Sequence, residues 1–478
     1  MCAQYNYNDE SCIAAFATVM GNSALTLIRC SGKDSITLIS SIFEPEKIKD
    51  APGNTVIHGW IVGDELKSNT AAEKKRVKID EVLVSVFRSP KSYTGEESLD
   101  ICCHGGAAAG KAVMAALNAA GFRGALPGEF TFRAFMNGKI DLTRSESVME
   151  LVSAKTDASR RRAVMRLCGS LEKEINEIKE SLVRVLASAE IYLDYSEDEI
   201  SADQDEAAGK LPDKDTALAA LARLKKLNAS WQIERIYQEG VLAVIAGRPN
   251  AGKSSLFNML LKEDRSIVTD VPGTTRDWIE ANVSVKGIPV RLVDTAGLRE
   301  TFDPVEKIGV ERSCKLLEET DIILYLIDGE RGLTDEDSKF ITNRERCLLV
   351  WNKADIAPVP RLYPLADILP VSAKTGAGLD ELYEAFVRAV LPRNGGKLDR
   401  QFFDEPSSAS LGTVRQKNLV ENACAFLEEA LDMADKNEPL DLIAPLLREA
   451  VNSLGEITGE VSTADILEEM FSRFCVGK

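Results

Sequence analysis

The sequence has only two histidines in 478 residues, His58 and His104. Its ten cysteines include no C-x-x-C pair and no zinc-ligand spacing. Those shortages argue against structural zinc and for a reducing compartment, so a cytoplasmic protein is expected. No apolar run reaches the roughly 18 residues that a bilayer-spanning helix needs, so no membrane association is expected. The first residues, Met1-Cys2-Ala3-Gln4-Tyr5-Asn6, show neither a basic n-region nor an apolar h-region, and no signal peptide is expected. Positive charge is also short: the net charge is −17. A protein that holds nucleic acid on one broad basic face looks different, so any RNA contact should be local or shared with a partner. The length predicts about three domains, each able to bury a core.

What the sequence does have is Gly247-Arg248-Pro249-Asn250-Ala251-Gly252-Lys253-Ser254, the G-x-x-x-x-G-K-[ST] phosphate loop. The apolar run Val241 to Ala246 before it predicts a buried strand, and Ser255 to Leu260 after it predicts the first turns of a helix. Glycines let the backbone turn its N–H groups toward a phosphate, and the helix N-terminus adds a positive dipole end. Lys253 is expected at the β and γ phosphates and Ser254 on Mg²⁺. Downstream, Gly273-Thr274-Thr275-Arg276-Asp277 offers Thr275 as a second hydroxyl for Mg²⁺. Arg291 to Gly297 reads as a strand ending in D-x-x-G, where Asp294 can hold the metal's water shell and the Gly297 N–H can meet the γ-phosphate.

Two further strand ends complete the set. Asn352-Lys353-Ala354-Asp355 follows the apolar Cys347 to Trp351, and Ser372-Ala373-Lys374 follows Ile368 to Val371. The Asp355 carboxylate can accept from both N1–H and the exocyclic amine of guanine, and adenine offers neither donor. A site built around those bonds rejects the analogue lacking them. These motifs, in this order and each at a strand end, predict a GTPase domain. Its expected nucleotide contacts are Asn250, Gly252, Lys253, Ser254, Ser255, Thr274, Thr275, Asp294, Thr295, Ala296, Gly297, Asn352, Lys353, Asp355, Ser372, Ala373 and Lys374.

Residues 1–140 read as an α+β domain. Cys12–Thr18, Ala24–Arg29, Thr55–Val62, Val82–Arg88 and Ser98–Cys102 predict strands, and Ala107–Ala120 an alanine-rich helix. The polar insert Glu65–Arg76 predicts a surface hairpin tip or loop. His104, beside two glycines, reads more readily as a packed turn residue than as a catalyst. A helical block follows at 141–236. Val148, Leu151 and Val152 begin an apolar stripe. Leu171, Ile175, Ile178, Leu182, Val185, Ala189 and Leu193 continue it, as do Leu218, Leu221, Leu224 and Leu227. The acidic run Asp194–Glu199 reads as a solvated helix end. The GTPase segment spans 237–394. Helical pattern returns over 395–478, with Leu419, Ala423, Leu427 and Leu431 on one face and Leu442, Leu446 and Val451 on another. A helical domain interrupted by a GTPase is the economical reading. Cys475, the fourth residue from the end, is hard to bury there, and Gly477-Lys478 fits a prenylation signal poorly.

The chain resembles the MnmE (TrmE) family of tRNA-modifying GTPases along nearly its full length. The residues that carry the likeness are GRPNAGKSS at 247–255, GTTRD at 273–277, DTAGLRE at 294–300, NKAD at 352–355, YTGEE at 93–97, HGG at 104–106, PGEFTFRAF at 127–135 and the terminal CVGK. The resemblance implies three parts: an N-terminal folate-binding and dimerising α+β domain, a discontinuous α-helical domain, and an inserted α/β P-loop GTPase domain. It further implies a homodimer that joins a flavin-dependent (FAD) MnmG-like partner as a heterotetramer. Together they act on tRNA, building an aminomethyl-type group at C5 of the wobble uridine from 5-formyl- or 5,10-methylene-tetrahydrofolate and glycine or ammonia.

Site residues follow by matching position. Arg29, Asp100, Lys139 and Lys478 match the folate set, with Asp100 where the family usually has Glu. The family's glycine-rich turn before that arginine is here Thr18–Ala24. Ras-like enzymes place a glutamine after D-T-A-G, but here that position is Leu298, which can donate nothing. The resemblance supplies K⁺ instead, with Asn250, Thr269, Val271 and Thr274 as ligands and Thr269 also a nucleotide contact. It places the catalytic carboxylate at Glu306, though Glu300 and Asp303 lie in the same polar loop, and it makes Cys475 a candidate catalytic residue. Two other readings stand beside this one: a GTPase switch in ribosome assembly without one-carbon chemistry, and a folate-dependent aminomethyltransferase that needs no tRNA.

Overall fold

A computed structural model describes residue 7 and residues 9–65, 75–194, 211–263, 279–294, 320–342, 346–360, 368–391, 409–461 and 464–477. It is a multidomain protein with two compact units, Met1–Ser145 together with Leu454–Lys478, and Glu146–Ser453.

The first unit holds a seven-stranded sheet. Its strands are β1 (Ile13–Phe16), β2 (Leu25–Ser31), β3 (Phe43–Glu44), β4 (Thr55–Glu65), β5 (Lys75–Phe87), β6 (Ser98–His104) and β7 (Arg123–Gly124), in the order β3-β4-β5-β6-β2-β1-β7. Only the β1–β7 pair is parallel among them. Alternation along the strands decides the faces. Ile28, Cys30, Val84, Val86, Leu99 and Ile101 pack with Ile36 and Ile39 of helix α1 (Ser35–Ser40) and Val113 and Leu117 of helix α2 (Ala107–Ala120). The residues between them, including Arg29, Leu83 and Asp100, fall on the opposite face.

The insert Glu65–Arg76, read as a surface hairpin tip or loop, lies between the antiparallel partners β4 and β5, and the two strands reach into it at both ends, with Glu65 the register partner of Lys75. Residues 66–74 lie outside the described set.

The PGEF…RAF stretch forms helix α3 (Glu129–Met136) and carries a buried ion network. Glu129 is fully buried and binds Arg123 at 2.6 Å and Arg133 at 2.9 Å. Arg133 also reaches Glu96 at 3.1 Å, which ties this stretch to YTGEE. Removing one partner would leave a buried charge uncompensated, a cost of about 3–5 kcal/mol. The C-terminal segment docks beside it. Phe132 and Phe471 meet edge to face at 5.4 Å between centroids. Gly128 has φ +66°, and a Cβ there would stand 2.8 Å from the Phe471 carbonyl. Its N–H donates to the Cys475 carbonyl at 3.3 Å.

The second unit joins helices to a six-stranded sheet ordered β13-β12-β11-β8-β10-β9. The strands are β8 (Val241–Gly247), β9 (Ile279–Val285), β10 (Ile288–Asp294), β11 (Ile322–Asp328), β12 (Cys347–Asn352) and β13 (Leu369–Pro370). All pairs are parallel except the β9–β10 hairpin. β8 and β11 are buried along nearly their whole length, which is why they read as continuous apolar runs.

Helices α4 (Leu142–Ser153), α5 (Asp157–Leu167), α6 (Ser170–Asp194) and α7 (Lys214–Glu239) precede the sheet; Val414–Asp435 and Leu440–Thr458 follow it. Arg166, 1% exposed, binds Glu150 at 2.5 Å, Glu234 at 2.9 Å and the Ser410 hydroxyl at 3.0 Å, linking both helical blocks. Thr156 caps α5 by accepting from Ser159 N–H, and its hydroxyl donates to the Gly287 carbonyl in the β9–β10 turn at 2.8 Å. The long stripe on α6 is buried from Leu171 through Ala189, but Leu193 is exposed, as are Leu218 on α7 and Val152 on α4. In Leu440–Thr458 the buried face is Ile443, Leu447, Ala450, Leu454 and Ile457, one position off the expected Leu442, Leu446 and Val451. In the first half of that helix, Leu440–Leu447, Asp441 is the single polar residue, so the period alone does not select the face there.

Candidate functional site

β8 delivers the chain to the phosphate loop and helix α8 (Lys253–Glu263) takes it away. Gly247 has φ +141°, and a Cβ there would meet the Leu326 carbonyl at 2.5 Å. Asn250 adopts φ +67°, a left-handed conformation that asparagine tolerates better than most residues. Gly252, at φ +91°, is tightest: a Cβ would stand 2.1 Å from Asn352 Nδ2. The buried Asn352 side chain donates to the Ala251 carbonyl at 2.7 Å and accepts from Ala373 N–H at 3.0 Å. One amide thereby joins the phosphate loop, the NKAD strand end and the Ser372–Lys374 loop.

Lys253 Nζ donates to the Gly247 and Arg248 carbonyls, both at 2.9 Å. Burial pulls its ammonium below the usual lysine range, and nearby Asp294 opposes that shift. Ser254, exposed at the first turn of α8, donates to Asp294 Oδ2 at 3.1 Å. A hydroxyl and a carboxylate converging at a helix N-terminus form a donor set for a hard divalent cation. Asp355 and Lys374 are exposed, while Ser372 is fully buried and accepts from Thr375 N–H at 3.2 Å. Ser255 is exposed on α8. Thr269, Val271, Thr274, Thr275, Thr295, Ala296, Gly297 and Glu306 lie outside the described residues, as does Lys478.

The sequence reading missed the supports of this site. Asp328 and Glu330 bind Lys353 at 2.9 and 2.6 Å. Arg248 Nη1 donates to the Thr334 hydroxyl at 3.1 Å, and that hydroxyl donates to Asp337 at 2.7 Å. Asp337 is 2% exposed and also accepts from Tyr325 at 2.6 Å; burial and this bond hold the Tyr325 phenol well above its usual range. The apolar run of β11 ending in Asp-Gly was the signal available for finding this turn.

The N-terminal sheet brings two of its expected residues together. Arg29 Nε donates to Asp100 Oδ1 at 3.0 Å and its Nη2 to Oδ2 at 3.3 Å, across registered positions of β2 and β6. The Tyr93 ring lies 6.0 Å from the guanidinium, and its hydroxyl bonds Thr131 at 3.0 Å. Lys139 Nζ donates to the Pro90 carbonyl at 3.0 Å and packs near Gly95 of the same loop. Cys475 is exposed. His104 is not a packed turn residue: its ring is 63% exposed and bonds Asp80 at 2.7 Å. No group of three or more His, Cys, Asp or Glu side chains is poised for a metal among the described residues. No described helix is long and apolar enough to cross a membrane.

Known proteins match this chain over nearly its full length. The family model for the MnmE helical domain matches residues 142–475, and that for the GTP-binding protein TrmE N-terminus matches 12–139. A tRNA modification GTPase MnmE from Treponema denticola is 43% identical, covering 99% of this chain and 99% of its own. That of Carboxydothermus hydrogenoformans is 40% identical, covering 98% of this chain and 100% of its own. Among solved structures, Aquifex aeolicus Era bound to GDP and AlF4⁻ is 27% identical over 39% of this chain and 66% of that one, with a TM-score of 0.26.

Proposed function

This chain belongs to the MnmE family of tRNA modification GTPases, and from that premise we propose that it couples GTP hydrolysis to one-carbon chemistry at C5 of the tRNA wobble uridine. GTP hydrolysis in tRNA modification is the family's activity. The observation that carries the finer reading is the Arg29–Asp100 pair beside Tyr93, in the same compact unit as Cys475. A guanidinium and a carboxylate side by side, with an aromatic face nearby, suit a heterocycle that has both acceptor atoms and an N–H edge. Arg29, Asp100, Lys139 and Lys478 would hold a reduced folate there, and the folate would supply the carbon.

In the GTPase domain, Lys253 and the loop N–H groups would take the phosphates, and Asp355 the guanine. Ser254 would hold Mg²⁺ directly and Asp294 through water, with Thr275 as the second hydroxyl; Mg²⁺ neutralises phosphate charge when bound. Asn250 is exposed and its amide oxygen suits a large monovalent cation, so K⁺ held with Thr269, Val271 and Thr274 would supply the missing positive charge. Glu306 would orient water, and it would act through a bridging water because a carboxylate is repelled by the triphosphate. Cys475 would serve the tRNA step. A homodimer working with an FAD-dependent MnmG-like partner in the cytoplasm completes the proposal, with domains at 1–140, 141–236, 237–394 and 395–478.

Mass spectrometry of wobble uridines in cells lacking the protein tests this. Loss of the C5 aminomethyl-type group is expected. Unchanged uridines would sink the reading in favour of a ribosome-assembly switch, which needs neither the folate site nor the cysteine.

A further inference from the structure

The residue after Asn352 has an unusual conformation. Lys353 sits at φ +64°, the left-handed region that a long side chain enters only at a cost of about 1–2 kcal/mol. That conformation turns the chain sharply out of β12. The Lys353 carbonyl then accepts from Ile356 and Ala357 N–H at 3.0 and 2.9 Å, closing the turn that carries Asp355. Something must hold Lys353 there, since the strain would otherwise be relieved.

The turn leaving β11 does so at two points. Gly329 N–H donates to the Asn352 carbonyl at 3.1 Å. A Cβ on Gly329 would stand 2.6 Å from that oxygen, so only glycine permits this approach. Beside it, the Asp328 carboxylate meets Lys353 Nζ with both oxygens, at 2.9 and 3.0 Å. Asp328 is 8% exposed and is the register partner of Asn352. Its carbonyl accepts from Arg331 and Gly332 N–H at 3.0 and 2.8 Å, and its Oδ1 accepts from Glu330 N–H at 3.1 Å, so the carboxylate is fixed before it meets the lysine. Glu330 also reaches Lys353, but its side chain is 54% exposed. Screening makes such a pair weak, whereas a buried, pre-aimed carboxylate keeps its strength.

We propose that Asp328 is a positioning residue for the guanine site: it clamps Lys353 in the left-handed turn and so aims Asp355 at the base. This rests on reading Asn352–Asp355 as that site. Loss of the Asp328 charge would weaken binding of GTP and GDP alike, because the base is common to both. It would leave the chemical step alone once nucleotide is saturating.

The test is fluorescent-nucleotide titration plus steady-state hydrolysis on the full chain, with Asp328→Asn, Lys353→Ala, the double variant and Glu330→Gln. Asp328→Asn should weaken both nucleotides about tenfold, the scale of a lost hydrogen bond to a charged group. Its kcat at saturating GTP should stay within about twofold, since uniform binding alone is lost. The double variant should bind no worse than Lys353→Ala, because the two residues act as one unit. Glu330→Gln should change affinity by less than about threefold. Additive losses in the double variant, or a fall in kcat with KM unchanged, would overturn the clamp. Should Asp328→Asn not fold, Asp328→Glu keeps the charge but displaces the aimed carboxylate; on the Lys353→Ala background it should cost no further affinity, and a further loss there would overturn the clamp. If Lys353→Ala binds GTP as tightly as the wild type, the clamp falls; if Asp355→Asn does so, the base-site reading falls.

Discussion

Lys253 and Arg29 are both half-buried cations at candidate ligand sites, and they are held in opposite ways. Lys253 rests on two neutral main-chain carbonyls, while Arg29 is clamped by the carboxylate of Asp100. A cation resting on carbonyls keeps most of its charge for an incoming anion, and the phosphates of a nucleotide can displace those bonds. A cation already neutralised by a fork-to-fork pair is a poor anion site. It can share its remaining donors with a neutral, polar ring. The phosphate-loop site is thus built from backbone and glycine, and the N-terminal site from side-chain pairs.

The largest effect should come from breaking the backbone site. Gly252→Ala would put a methyl 2.1 Å from Asn352 Nδ2 at a position with φ +91°. The strain and the lost buried amide bonds together amount to about 3 kcal/mol, so GTP affinity should fall about a hundredfold. Isothermal titration with GDP and GTP reads this directly. A variant binding within a few-fold of wild type would mean that the loop has room which the close approach of Asn352 denies it.

The same contrast explains what could be read from sequence. A phosphate constrains the backbone, and backbone constraint is written as fixed glycine, lysine and serine spacing. Gly247, Gly252, Lys253 and Ser254 were legible for that reason, and the buried strand β8 was legible as an apolar run. Side-chain pairs between distant strands leave no local spacing. Arg29 and Asp100 are register partners 71 residues apart, and only resemblance joined them. Nothing local joined Lys353 to Asp328, or Arg133 to Glu96. In Leu440–Thr458 the buried face was misread because the run Leu440–Leu447 is apolar at all positions but Asp441.

A smaller effect should follow from altering the side-chain site while keeping its charge. Arg29→Lys replaces a planar fork by a point charge, so the two-bond geometry with Asp100 is lost and the net charge is not. Affinity for 5-formyl-tetrahydrofolate should fall about tenfold, the scale of one charge-assisted bond. Fluorescence titration with the folate checks this. An unchanged affinity would show that the site uses only the positive charge, which would erase the difference from Lys253.

The smallest effect concerns another side-chain pair of that sheet, His104 with Asp80. The Asp80 hydrogen bond and its charge raise the His104 pKa above its ordinary value, against desolvation, with Glu81 adding to the rise. A histidine whose folded pKa is raised adds stability that is fully present below its unfolded pKa, about 6.5, and that is lost as pH climbs through the folded value. The local stability of β5 and β6 should therefore be greater at pH 6 than at pH 9, by an amount that His104→Gln removes. Whole-chain denaturation would blur this, since a multidomain protein need not unfold in one step. Hydrogen exchange of the β5 and β6 peptides, variant against wild type at each pH, isolates it because intrinsic exchange cancels in the ratio. Wild type should be the better protected at pH 6, with the two converging toward pH 9. The imidazole is 63% exposed, so solvent and salt screen the pair and the difference should be small. Asp80 also accepts from the His104 main-chain N–H at 2.9 Å, a bond the variant retains. Equal protection at both pH values would mean that this main-chain bond, and not the imidazolium, fixes the end of β6.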